Sequence, residues 1–179
     1  MKALLINPPT GLYIREDRCQ APLKGMAATT ARPPLDLAYM AAVLEGQGVE
    51  CRLRDYPVQG GSWPELTKEL TDFQPDFLFI SVTSFTIHDD LVACQLAKEL
   101  LGAGIRTVAK GAHVAVKARE GLAECPHLDV AISGEYELAA GELAAQADWR
   151  QVLGITFRDP CTGEIVTTPA RPFLAELDR

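Results

Sequence analysis

Positive charge is scarce in this 179-residue chain: 17 Lys and Arg stand against 24 Asp and Glu, a formal charge of -7. A chain of that sign has no electrostatic footprint for nucleic acid or an anionic membrane surface. Long apolar runs are also missing. The longest are strand-sized, below the roughly 18 to 20 residues that cross a bilayer, and Pro8 interrupts the opening Met1-Lys2-Ala3-Leu4-Leu5-Ile6-Asn7 before a signal-peptide core can form. The expectation is a soluble cytoplasmic protein that binds neither nucleic acid nor membrane. Clustered metal ligands are lacking too. Cys19, Cys51, Cys94, Cys125 and Cys161 form no C-x-x-C pair, and His88, His113 and His127 have no ligand spacing. The thiols read as packing residues of a reducing compartment, and no metal site is expected.

Nucleotide signatures fail on missing parts. No G-x-G-x-x-G or G-x-x-x-x-G-K-[ST] follows the first strand, so a dinucleotide or nucleoside triphosphate would have no phosphate cradle. A phosphate-receiving signalling domain needs a carboxylate at the end of the third strand, where Ser81 stands instead.

What is present alternates. With 47% hydrophobic and 23% charged residues, the chain has the composition of a folded globular protein. Lys2 to Asn7 reads as a buried central strand stopped by Pro8-Pro9. Pro33-Pro34 opens a helix that closes at Gly46 and Gly48. Glu50 to Asp55 alternates, with Cys51 and Leu53 inward, as an edge strand does. Ser62 and Glu65 predict a capping box for a helix to Phe73. Asp76 to Val82 is the strongest buried-strand signal. A helix over 89–101, a strand over 105–109, a helix over 114–121, a strand over 128–132 and a helix over 135–145 follow.

Five strands alternating with five helices predict a three-layer α/β fold, an open parallel sheet of flavodoxin-like (Rossmann-like) order 2-1-3-4-5. Gly154 to Arg158 and Glu164 to Thr168 predict a C-terminal β-hairpin appendage. The expected division is therefore a binding domain over 1–150, then a hairpin and connector over 151–179.

Ligands of such sheets sit outside the carboxyl ends of the strands, near the topological switch point. There the sequence places Asn7-Pro8-Pro9, the hydroxyl-rich Ser81-Val82-Thr83-Ser84, Lys110-Gly111-Ala112-His113, and Gly134-Glu135. The small side chains leave room for a guest, while helix capping by the hydroxyls or by Glu135 is the structural alternative. The connection from Pro8 to Arg32 is longer than such loops usually are, which suits a binding lid.

These residues, together with Pro33-Pro34-Leu35-Asp36-Leu37-Ala38-Tyr39-Met40 and Gly134-Glu135-Tyr136-Glu137, resemble the amino-terminal cobalamin-binding domain of cobalamin-dependent radical S-adenosylmethionine enzymes. The resemblance spans the whole chain. It implies a corrin over the carboxyl edge of the sheet, meeting Asn7, Pro8, Pro9, His113, Gly134 and Glu135. It implies a dimethylbenzimidazole tail beside Ser81, Val82, Thr83 and Ser84, with Gly111 and Ala112 leaving room. Lys110 stands where the family usually has the first of two glycines. The D-x-H-x-x-G motif of methionine-synthase-like domains is absent, so no histidine is expected below the cobalt.

The C-x3-C-x2-C motif is absent as well, so the resemblance implies that S-adenosylmethionine and a [4Fe-4S] cluster belong to a radical domain beyond residue 179, reached through Leu177-Asp178. The parent would be a methyltransferase or a related radical enzyme. The alternatives are an accessory docking domain whose groove is filled by its own side chains, and a flavodoxin-like flavin or nucleotide binder.

Overall fold

Lys2–Asn7 is a strand (β1) because Ala3, Leu4, Leu5 and Ile6 have no exposed surface, which only a strand covered on both faces provides. The computed structural model describes residues 1–16, 19–22, 32–146 and 148–173. Leu174, Leu177 and Asp178, read as part of a connector, lie outside the described residues. A hairpin of β2 (Tyr13–Glu16) and β3 (Cys19–Pro22) follows β1, then α1 (Leu35–Gly46), β4 (Glu50–Asp55), the single turn α2 (Tyr56–Gln59) and α3 (Trp63–Phe73). Next come β5 (Phe77–Ser81), α4 (Ile87–Leu101), β6 (Arg106–Lys110), α5 (Ala112–Glu124), β7 (Val130–Ile132), α6 (Tyr136–Ala145), β8 (Ile155–Arg158) and β9 (Ile165–Thr167).

The main sheet runs β4-β1-β5-β6-β7-β8-β9. Its first five strands are parallel and follow the expected order 2-1-3-4-5. The difference lies at the far edge. The carboxy-terminal hairpin, expected as an appendage, pairs antiparallel with β7 through Val130–Phe157, Ala131–Thr156 and Ile132–Ile155, which makes the sheet seven-stranded. Phe157 and Ile155 are 1% exposed, so burying their apolar faces on the α6 side fixes the hairpin there.

Two cores flank the sheet. Leu4, Ile6, Leu78 and Ile80 meet α3, α4 and α5 on one side, while Ala3, Leu5, Phe77, Phe79 and Val108 meet α1 and α6 on the other. Helices α1 and α6 approach so closely that a Cβ on Gly141 would lie 2.7 Å from Gln47 Nε2 and 2.9 Å from Val43 Cγ1. At the edge, Cys51 and Leu53 face the α1 core, as expected, while Arg52 and Arg54 turn out to Glu69 at 2.7 and 3.1 Å. The Ser62–Glu65 capping box is present at the start of α3. Burial pushes the Cys94 thiol well above its usual range, consistent with a packing role.

Candidate functional site at the carboxyl edge

Side chains alternate along a strand, so the residue that ends each central strand inherits the face of the residue two before it. Asn7 follows Leu5, Ser81 follows Phe79 and Lys110 follows Val108, all three predecessors belonging to the α1/α6 core. Ser81 lies in register with Lys110, and the β1–β5 register of Ile6 with Ile80 sets Asn7 beside Ser81. The result is a polar row at the top of the α1/α6 layer, across the switch point between β1 and β5.

The row is sealed from water. Asn7 is 7%, Ser81 0% and Lys110 1% exposed. The Lys110 ammonium pairs with Asp36 in the first turn of α1 and sits 4.9 Å from the ring centroid of Tyr136 in the first turn of α6. Asn7 Oδ1 and Ser81 Oγ, in contrast, are buried without a hydrogen-bond partner. A buried polar atom left unpaired costs about 1–3 kcal/mol. Both oxygens stand on adjacent strand ends and keep the capacity to accept a hydrogen bond.

The opposite side of the switch point is closed by a network that the sequence did not reveal. Arg15, 8% exposed, reaches in from β2 and grips Asp90 of α4 in a bidentate pair, Nη1 to Oδ2 at 3.0 Å and Nη2 to Oδ1 at 3.1 Å. Arg15 Nη1 also donates to the Ser81 carbonyl at 2.7 Å. Thr10 Oγ1 and Thr86 Oγ1 donate to Asp90 at 2.6 Å each, and the Thr83 amide at 3.1 Å. The β2–β3 hairpin therefore straps the loop after β1 to the loop after β5, and the Ser84 amide adds a bond to Gln20 Oε1 at 2.9 Å. A signal for Asp90 did exist. It stands three, four and seven residues before the buried Ala93, Cys94 and Ala97, so helical spacing puts it on the inward face of α4.

The other expected residues divide between the rim of the edge and structural positions. Thr83 is fully buried, but its Oγ1 meets Thr86 Oγ1 at 2.9 Å and accepts from the Phe85 amide, so it is committed to its own loop. Val82 packs in the α3/α4/α5 core and donates to the Lys110 carbonyl at 2.9 Å. Ser84 is exposed, with its Oγ 3.3 Å from His113 Nδ1, and both sit on the rim. Pro8 is buried and Pro9 half-buried beside Asn7, and Ala112 opens α5 half-buried. Gly134 is exposed, and Glu135 is the N-cap of α6 without a side-chain capping bond.

Gly111 has a reason internal to the chain. Its φ is +133°, and a Cβ there would fall inside contact distance of the Val82 carbonyl oxygen. Substitution at Gly111, read as a residue that leaves room for a guest, therefore strains the β5–β6 junction itself.

A family model described as "B12 binding domain" matches residues 27–144. The chain belongs to the B12-binding domain family. An uncharacterized methyltransferase of Pyrococcus horikoshii is 26% identical over 99% of this B12-binding chain, which covers 37% of that protein. The anaerobic magnesium-protoporphyrin IX monomethyl ester cyclase of Rubrivivax gelatinosus is 29% identical over 82% of the chain and 28% of that protein. The chain thus spans well under half the length of these curated relatives.

Among solved structures, the radical S-adenosylmethionine methyltransferase TsrM of Kitasatospora setae superimposes with a TM-score of 0.69 at 15% identity, over 94% of this chain and 30% of its own. The cobalamin-dependent S-adenosylmethionine radical enzyme OxsB, with aqua-cobalamin and S-adenosylmethionine bound, gives 0.68 at 18% identity, over 96% and 22%. At those identities the likeness is one of fold. The docking-only and flavin readings find no support in these comparisons. Among the described residues, no helix is long and apolar enough to cross a membrane.

Proposed function

We propose that this B12-binding domain holds cobalamin at the carboxyl edge of its sheet and serves a larger enzyme of the cobalamin-dependent radical S-adenosylmethionine class. The observation that carries the reading is the pair of buried, unpartnered oxygens, Asn7 Oδ1 and Ser81 Oγ, at the switch point. The donor set fits the group, because corrinoid side-chain amides and hydroxyls carry the N–H and O–H donors that these oxygens lack. In this reading Asn7 and Ser81 anchor the guest. Pro8, Pro9, Ser84, Ala112, His113, Gly134 and Glu135 form the rim around it, while Val82, Thr83 and Gly111 hold the strand ends that shape it. When bound, cobalamin supplies a cobalt centre able to carry a methyl group or to take part in radical chemistry.

The same reading assigns residues 1–150 to the cofactor-binding unit and 151–179 to the hairpin and connector. The partner is a radical domain of the same polypeptide, which carries S-adenosylmethionine and a [4Fe-4S] cluster, and the setting is the cytoplasm. The parent reaction is methyl transfer or related radical chemistry. Relatives that extend well beyond the length of this chain, one a methyltransferase and one a cyclase, support that assignment.

Mixing the purified chain with hydroxocobalamin and following co-elution and the visible spectrum tests the cofactor. A bound corrin spectrum is expected. Ser81→Ala should weaken binding by about tenfold, the equivalent of one hydrogen bond near 1.4 kcal/mol, with an unchanged far-UV spectrum. No co-elution with any of several corrinoids would overturn the proposal.

A further inference from the structure

At the amino-terminal end of the sheet, opposite the carboxyl edge, lies a cavity of about 730 Å³. Its walls come from the first residues of β5 and β6, the last turn of α6, the short turn that follows it and the end of β8. Pockets of roughly 300–1,000 Å³ hold small organic molecules, so this one has room for a two-ring ligand.

Aromatic side chains make one wall and are held in place. The Trp149 indole meets the Phe157 ring edge-on, with centroids 5.9 Å apart and planes at 86°, and its Nε1 donates to the Leu143 carbonyl at 3.3 Å. With that donor spent, the half-buried indole offers a ligand a flat apolar surface. The charged groups of the lining differ in what they have left to give. Asp159, 1% exposed, accepts from the Cys161 and Thr162 amides at 2.8 and 3.1 Å and pairs with Arg150. Asp148 accepts from the Arg150 amide at 3.0 Å, and Asp76 from the Lys2 amide at 2.7 Å. Arg106 is different. Its Nη1 donates to the Ala103 carbonyl at 3.0 Å and its guanidinium carbon lies 5.8 Å from the Trp149 ring centroid, but among the described residues it has no carboxylate partner. A guanidinium set beside an aromatic ring keeps its remaining donors in a planar fork, the arrangement that grips a carboxylate through two parallel bonds.

We infer that this cavity is a second small-molecule site, one that takes a planar aromatic carboxylate: the ring lies against Trp149 and Phe157 while Arg106 binds the carboxylate. Asp76 and Asp148 are exposed, so solvent and salt screen their repulsion of the anion. The site lies at the other end of the strands from the corrinoid edge and stands or falls apart from that reading.

Titrating 2-naphthoate into the 179-residue chain carrying Trp63→Phe, which leaves Trp149 as the reporter of the two tryptophans, tests the assignment. The Trp149 emission should change saturably, with half-saturation below about 1 mM. The neutral isostere 2-naphthamide and the non-aromatic cyclohexanecarboxylate should each bind about tenfold more weakly. Adding Arg106→Gln should weaken naphthoate by about tenfold and leave the weaker binding of naphthamide unchanged.

Emission that stays unchanged up to about 5 mM naphthoate would overturn the inference. So would equal affinities for naphthoate and either comparison ligand, or for naphthoate with and without Arg106→Gln. Should Arg106→Gln fail to fold by circular dichroism, the comparison of acid with amide decides alone.

Discussion

Removing the Asp90 carboxylate should be among the most damaging single changes in this domain. Asp90 is fully buried and accepts from five donors: two guanidinium nitrogens of Arg15, the hydroxyls of Thr10 and Thr86, and the Thr83 amide. Asp90→Ala leaves the Arg15 cation buried without its counter-ion and orphans the other donors together. Breaking a buried pair from one side costs about 3–5 kcal/mol. For a chain of this size that is a fall in Tm of roughly 6 to 20 °C.

Arg15→Ala should cost less, because Thr10, Thr83 and Thr86 still satisfy the carboxylate. The double variant should show a coupling energy of at least about 1 kcal/mol. Urea unfolding followed by circular dichroism measures all three. Asp90→Ala within about 1 kcal/mol of wild type, or Arg15→Ala more costly than Asp90→Ala, would refute the view that this carboxylate organises the strap.

Gly111→Ala should destabilise by about 3 kcal/mol, since it combines a backbone conformation unfavourable to L-residues with a contact against the Val82 carbonyl; an unchanged unfolding midpoint would mean that the β5–β6 junction can shift without loss. Burial pushes the Glu69 carboxyl upward, but its hydrogen bonds and charge pairing with Arg52 and Arg54 outweigh that and hold it below the ordinary carboxylate range. A group depressed in the folded state contributes stability above its unfolded pKa and loses it as pH falls through the folded value. Glu69→Gln should therefore cost roughly 0.5–1 kcal/mol at pH 7 and nothing at the acid end of a titration; a difference that persists undiminished to acid pH would rule out the ionised carboxylate as its source.

Much of the architecture was legible in the sequence, because burial imposes short-range patterns. Continuous apolar runs at Lys2–Asn7 and Phe77–Ser81 declared strands covered on both faces, and the alternation at Glu50–Asp55 declared an edge. Loops at the carboxyl edge could be named from the same reading, since parallel α/β order fixes which loops converge there. Two local elements escaped. The β2–β3 hairpin lay hidden inside what looked like an irregular loop, and α2 is a single turn too short to show a period.

The fate of each side chain at that edge was decided by long-range partners. Ser81, Thr83 and Ser84 are chemically alike and nearly adjacent, yet one faces the α1/α6 row, one is consumed by the Asp90 network and one stands on the rim. Gly111 and Ala112 read as leaving room, but beside them Asp36 and Tyr136, distant in sequence, draw the Lys110 cation inside. Hydrophobic periodicity acts over a few residues and is written in the chain. Charge pairing across 75 positions, as between Arg15 and Asp90, exists only once the fold has set the β2–β3 hairpin against α4.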